Sequence, residues 1–423
     1  MKRWIGISAI GLSVLVLVIA FGMHIEAEHT DKTREHTVRI SLWDYDLTEY
    51  DRDLVRAFEE ANPDIHIEVM SYRSEVYPYY VQSLLESGSQ VDVVYANQMA
   101  MFTELSESGF CEPLDPYIKR DNVSVSQYSD YFHSSAGDLE ALPYRIDKFL
   151  LYYNKDLFDR AGMPYPTSDM TWEEWQTTAD TLQQALDPNQ RSAFSIYIPT
   201  HWSEIFTSAS FSIATMDLDE LRRGIHMLIQ MQEKGTMVSM QEMNTHSGAQ
   251  RLFETGNYGM YVCGTWLMHY FKIDAQAGAC QMNWGVTERP HWEGKENENA
   301  AWVTSLCINK NSKEKEAAWK FVNFVCGKRG AEIMANNLMI PAYQDADITR
   351  ILKQQMEKHQ LTVSLSADSF DAPKEVSSLQ ESRARAAVIS EIGRCVLGLQ
   401  SEQACISKIT KIQADFLEDL RVE

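Results

Sequence analysis

The chain lacks the short motifs that announce most chemistries. None of its seven cysteines (Cys111, Cys263, Cys280, Cys307, Cys326, Cys395 and Cys405) forms a C-x-x-C pair, and no tight Cys/His cluster stands out, which argues against a zinc site. There is no G-x-S-x-G, no H-E-x-x-H and no glycine-rich phosphate loop, so neither a catalytic metal nor a cofactor is expected. Basic residues are scarce. Against 60 Asp and Glu stand 38 Lys and Arg, a formal net charge of −22. That balance excludes the basic footprint that nucleic acid requires, and it disfavours an anionic membrane surface. No internal repeat and no low-complexity segment interrupts the 423 residues.

What is present is a large apolar stock. At 44% apolar and 23% charged the chain can bury a substantial core, and its length suits two or three domains. Lys2 and Arg3 precede an uncharged apolar run from Trp4 to Met23, the pattern of an export signal. The run is also roughly long enough to span a bilayer as a helix. A cleaved signal peptide and an uncleaved anchor over 1–25 therefore both stay open. No cysteine follows the run, which speaks against lipid attachment, and 26–37 reads as a flexible leader. Export would permit disulfides. Seven cysteines leave at least one unpaired within the chain, spacing assigns no pairs, and most are expected as small buried hydrophobes.

Hydrophobic period organises the first third. Val38, Ile40 and Leu42 alternate as a strand. Leu54, Ala57, Phe58 and Ala61 recur at helix spacing until Asn62-Pro63. A second strand (Ile65, Ile67, Val69), a helix through 79–86 ending at Gly88 and a short strand over 91–95 follow. Strand and helix alternate as in an open parallel α/β sheet, whose ligands bind beyond the carboxyl ends of the strands. Those ends carry Trp43-Asp44-Tyr45, Tyr72-Arg73 and Asn97-Gln98. Further on, Thr171 and Glu174 form a capping box opening a helix, 218–234 is helical to Gly235, and the apolar run 259–263 leads into Gly264-Thr265-Trp266. Ser312 is placed as the cap of a helix striped by Ala318, Phe321, Val322 and Val325, and 376–420 is mostly helix-forming.

Six pieces in this order carry a resemblance: FEEANPDI (58–65), DVVY (92–95), LPY with YYNKDLF (142–144, 152–158), TWEEW (171–175), FETGNYGMYVCGTW (253–266) and NKNSKEKEAAWKFVNF (309–324). The chain resembles the extracellular solute-binding proteins of ABC importers, in particular the sugar-binding family that includes maltose-binding proteins. Leu150 departs from the small residue usual there, and the lipid-anchor cysteine of many Gram-positive members is absent.

The resemblance implies an α/β fold of two lobes joined by a hinge, with ligand trapped between them. The implied N-lobe is 38–145 plus 307–341 and the C-lobe 146–306 plus 342–423, with crossings near 145–149, 305–307 and 340–343. It also implies a monomer that takes a carbohydrate and docks on the transmembrane subunits of an ABC permease.

A sugar site mixes planar polar groups with aromatic rings. The candidates are Trp266, Asp44, Asn97, Arg145, Asp147, Trp202, Trp302, Trp43, Tyr45 and Arg73. Arg145 and Asp147 have a structural alternative, pairing with each other. Two other functions stand as alternatives: a binder of polyamine or another non-sugar solute, and a secreted glycoside hydrolase. The adjacent pair Glu173-Glu174 offers the hydrolase two carboxylates, but its place at a helix start is explained by capping and dipole compensation.

Overall fold

The computed structural model describes residues 35–421 except 75, 89, 126–128, 187–194, 197–211, 240–248, 296–300, 364 and 366–377. The alternating segments at the start become β1 (His36–Trp43), α1 (Glu49–Ala61), β2 (Ile65–Tyr72), α2 (Tyr77–Ser87), β3 (Val93–Ala96), α3 (Met99–Glu107) and α4 (Asp115–Asp121), leading to β4 (Ala141–Asp147). β1 pairs in parallel with β2 and β3, so all three strands end on one edge. The four residues of β3 are buried on both faces, as a central parallel strand should be.

The second group comprises β5 (Phe149–Asn154), α5 (Lys155–Ala161), α6 (Trp172–Leu186), β6 (Ser195–Ile196), α7 (Leu218–Lys234), α8 (Ala249–Glu254), β7 (Met260–Gly264), α9 (Leu267–Gln276) and β8 (Trp284–Glu288). Then come β9 (Trp302–Ile308), α10 (Lys315–Cys326), α11 (Lys328–Asn336), α12 (Ala346–Lys358), α13 (Leu379–Val396) and α14 (Glu402–Asp419). The strands form two sheets, β2-β1-β3-β9-β4 and β6-β7-β5-β8, the cores of two lobes.

Two features differ from the sequence reading. The first sheet is mixed, because β9 runs antiparallel between β3 and β4. Residues 302–306, expected with the second lobe, pair along β4 from Trp302 onward. The chain re-enters the first sheet ahead of 305–307. A strand arriving from the other lobe meets the carboxyl edge first, so antiparallel insertion is its shortest route. The sheet change after β4 is abrupt, since Lys148 alone separates β4 from β5. A third strand of chain lies against the same place: Ile146 N–H donates to the Ile340 carbonyl (2.9 Å) and Ala342 N–H to that of Tyr144 (3.0 Å).

Local chemistry explains the helix ends. Thr171 N–H donates to Glu174 Oε2 (2.8 Å) and Glu174 N–H to Thr171 Oγ1 (3.2 Å), the reciprocal capping box. Ser312 Oγ instead accepts from Glu314 N–H (3.0 Å), one residue ahead of α10, so it turns the chain into the helix rather than capping it. In the first lobe Phe58 meets Phe321 and Phe324 edge-on at 5.1 and 5.6 Å, packing α1 on α10. All seven cysteines are buried and unbridged.

Candidate functional site

The edge of the first sheet where β1, β2 and β3 end and β9 begins faces the edge of the second where β5 begins and β7 and β8 end. The residues there divide into three groups.

The first is a set of rings. Trp266 stands at the start of α9, directly after Gly264-Thr265. Its ring meets Phe149 edge-on at 5.7 Å and lies 6.4 Å from Trp302, tilted by 31°. Trp302 in turn meets Phe149 at 5.3 Å and 90°. Both tryptophans are half-buried. Rings from β5, α9 and β9 thus converge at the junction of the two sheets.

The second is the polar end of the first sheet. Asp44 has φ 50°, the left-handed conformation that aspartate tolerates and that turns the chain sharply after β1. Its Oδ1 accepts from Ser74 N–H (3.3 Å) and lies 3.6 Å from Arg73 Nε. Asn97, one residue beyond β3, buries an Oδ1 that has no hydrogen-bond partner among the described residues. A buried acceptor of this kind needs a donor from ligand or water. Tyr270 belongs with these two, although sequence reasoning passed it over. Burial pushes its phenol above the usual range, and the Asp44 carboxylate adds to the shift. The charges of Arg145 and Arg73 act on it in the opposite sense, so an α9 side chain senses the first lobe's site. Its spacing of four from Trp266 on one helix was the available signal.

The third group is a buried bridge. Arg145 Nε donates to Asp147 Oδ2 (2.7 Å) and Arg145 Nη1 to Tyr50 Oη (2.7 Å). Thr265 Oγ1 donates to Asp147 Oδ1 (2.7 Å). The Arg145 guanidinium also lies over Trp43, 5.6 Å from the ring centroid. Arg145 and Asp147 are 6% and 3% exposed, and both hydrogen-bond to protein partners. The structural alternative, pairing with each other, is the one realised. They tie α1, β4 and the β7–α9 turn together where the chain changes sheets.

Tyr45 follows Asp44 in the turn after β1 and is half-buried; burial raises its phenol above the usual range, and the Asp51 carboxylate adds to the shift. Trp202 lies outside the described residues. Glu173 and Glu174, the carboxylates weighed for hydrolysis, sit far from this edge in role: Glu174 completes the capping box and Glu173 pairs with Arg223 (2.7 Å). Among the described residues no group of three or more His, Cys, Asp or Glu could hold a metal ion, and no helix is long and apolar enough to cross a membrane.

The chain as a whole is similar to several known proteins. A binding protein of Brucella abortus is 23% identical over 308 residues, covering 69% of this chain and 72% of its own. A sugar transporter from Rhizobium etli, solved in an open conformation, is 25% identical, with TM-score 0.68 over 89% of this chain and 99% of its own. An ABC substrate-binding protein from Listeria monocytogenes in complex with cycloalternan superposes with TM-score 0.77 at 20% identity, over 91% of this chain and 99% of its own. The family model for bacterial extracellular solute-binding proteins matches residues 53–349, well over half of the sequence, and the chain belongs to that family.

Proposed function

We propose that the protein is the extracytoplasmic substrate-binding subunit of an ABC importer that captures a carbohydrate between its lobes and presents it to the membrane permease. It acts without catalysis and as a monomer, held outside the membrane by an N-terminal segment that is either an anchor or a removed signal. The observation that carries the reading is the convergence of half-buried Trp266 and Trp302 on buried Phe149 where the two sheets meet, at the edge of the first sheet beyond whose strand ends Asp44 and Asn97 lie. Rings take the C–H faces of a sugar and the polar groups take its hydroxyls. Arg73 contributes through Asp44. Arg145 and Asp147 serve as the hinge tie rather than as ligand contacts. The Rhizobium and Listeria relatives, a sugar transporter and a cycloalternan complex, support a sugar as the solute.

Electrostatics favour the sugar over a polyamine. A polycation needs surplus carboxylate, yet Asp44 stands beside Arg73 and Asp147 beside Arg145. A thermal-shift screen against neutral sugars, sugar alcohols and polyamines tests the reading. A neutral saccharide should raise Tm, and calorimetry should then show Trp266→Ala weakening it by roughly 1–3 kcal/mol. A response confined to polyamines, or release of shorter products from an oligosaccharide, would replace the proposal.

A further inference from the structure

Seven large hydrophobic side chains are exposed among the described residues, and three of them, Val76, Tyr79 and Tyr80, fall within five consecutive positions. Scattered single exposures are ordinary, whereas a cluster marks a contact surface. This one sits at the start of α2, where Pro78 in the first turn fixes the backbone, and it adjoins the carboxyl end of β2.

The cluster is joined to the candidate site by a run of rings. Arg145 covers Trp43, and Trp43 lies 5.2 Å from Tyr77. Tyr77 is fully buried and donates its hydroxyl to the Ser41 carbonyl (2.6 Å), so it is the fixed support of the row. Tyr72, paired in register with Trp43 across the β1–β2 edge, stands 6.4 Å from Tyr77. Tyr80 stacks on Tyr72 at 4.2 Å with only 20° between the planes. Tyr80 is 46% exposed and Tyr79 beside it 73%. The row therefore begins at half-buried Trp43 beside the hinge and ends in open solvent on the rim of the first lobe.

Resting on the carbohydrate reading above, we propose that the ligand is an oligosaccharide whose leading units occupy the cleft and whose trailing units lie on a rim platform made by Tyr72, Tyr79 and Tyr80. A single sugar enclosed by the lobes would have no use for rings outside them. Stacked tyrosines offer flat faces without charge, which suits a neutral chain of pyranose rings and gives little to a charged partner. What selects this occupant is adjacency to the cleft: half-buried Tyr72 is the register partner of half-buried Trp43, and the next residue on each strand, Arg73 and Asp44, belongs to the polar end of the first sheet.

The test is calorimetric titration of the wild type, Tyr80→Ala and Tyr79→Ala/Tyr80→Ala with gluco- and manno-oligosaccharides of one to six units. Melting curves of the free proteins should coincide, since both side chains are largely outside the core. In the wild type, affinity should rise with length. The double variant should lose about ten-fold on the long members and nothing on the shortest member that binds. Equal binding by wild type and variant at every length overturns the platform while leaving sugar capture intact. So does a wild type that binds a monosaccharide as tightly as its oligomers, or a double variant that loses only permease-dependent uptake. A wild type that binds no saccharide of either series, but does bind a non-sugar solute, overturns the carbohydrate reading and the platform together.

Discussion

His269 shows how much one residue can hide. It has no exposed surface, and Tyr50 stands edge-on to its ring at 4.8 Å. Its Nδ1 lies 2.9 Å from the Asn337 carbonyl, which can only accept, so Nδ1 carries a proton, while the buried Nε2 has no hydrogen-bond partner among the described residues. Burial lowers its pKa from 6.5 to about 4, and the charges of Lys272, Arg145 and Arg52 act in the same sense. The unfolded chain therefore binds a proton between pH 6.5 and 4 that the folded chain refuses. Stability is full above pH 6.5 and falls as pH drops through that window, by about 3 kcal/mol at its lower end. Asp51, raised by burial, titrates with the opposite sign, so the comparison must be made between variants rather than between pH values alone. Urea unfolding at pH 7 and pH 5 should show the wild type losing about 2 kcal/mol more than His269→Gln. Parallel losses would assign the acid sensitivity to other groups. Nothing in the sequence marked His269, because a lone histidine inside a helix acquires its role from Tyr50 and Asn337, both far away in the chain. Tyr270, its neighbour, could have been found by helix spacing from Trp266. The place of Asp44 and Asn97 just beyond strand ends was legible from the local hydrophobic period, and such ends are where polar site residues gather in an α/β sheet.

At the scale of elements, legibility follows the range of the interaction that forms each one. The capping box of α6, the alternation in β1 and β2, and the glycine stop of α7 at Gly235 are local and were read directly. The insertion of β9 between β3 and β4 was not, because its partners lie about 210 and about 160 residues earlier and no local period encodes them. The break between α13 and α14 also hid within a helix-forming tail, although Gly398, at φ 72°, permits the turn. The β7–α9 turn is the element on which the candidate site depends most. A Cβ placed on Gly264 would lie 1.9 Å from Cζ3 of Trp266, so the indole rests on the glycine itself. Gly264→Ala should displace that ring while leaving β7 paired with β5. Its cognate-sugar affinity should drop by an amount similar to Trp266→Ala, and the double variant should be no weaker than either single one, since both remove the same platform. Additive losses in calorimetry would show that Gly264 acts through the strand and not through Trp266.

For the whole molecule, the question is what ligand binding does to two sheets joined at a buried tie. A ligand moves such an equilibrium only by its differential affinity for one arrangement, so it must touch both lobes. Trp266 and Tyr270 are carried by the second-lobe helix α9, while Asp44, Asn97 and Arg73 belong to the first lobe. The Tyr50–Arg145–Asp147–Thr265 bridge, with His269 and Lys272 bonded to Asn337, keeps the two bodies connected at their base. We propose that the net charge of −22 favours docking on basic permease loops, so docking should weaken with salt while sugar affinity changes little. Lobe closure by hinge bending is the motion we propose for this arrangement. Small-angle scattering should show the radius of gyration falling when cognate sugar saturates the wild type. Tyr270→Ala removes the α9 side chain that senses Asp44 and Arg73, so at saturating sugar it should compact less than the wild type. Asp147→Ala is the harsher control, because it leaves Arg145 buried without its carboxylate and should cost about 3–5 kcal/mol of fold stability as well. If saturating sugar left the wild-type radius of gyration unchanged, capture would take place in a preformed cleft, and the hinge tie would serve only to hold the lobes in place.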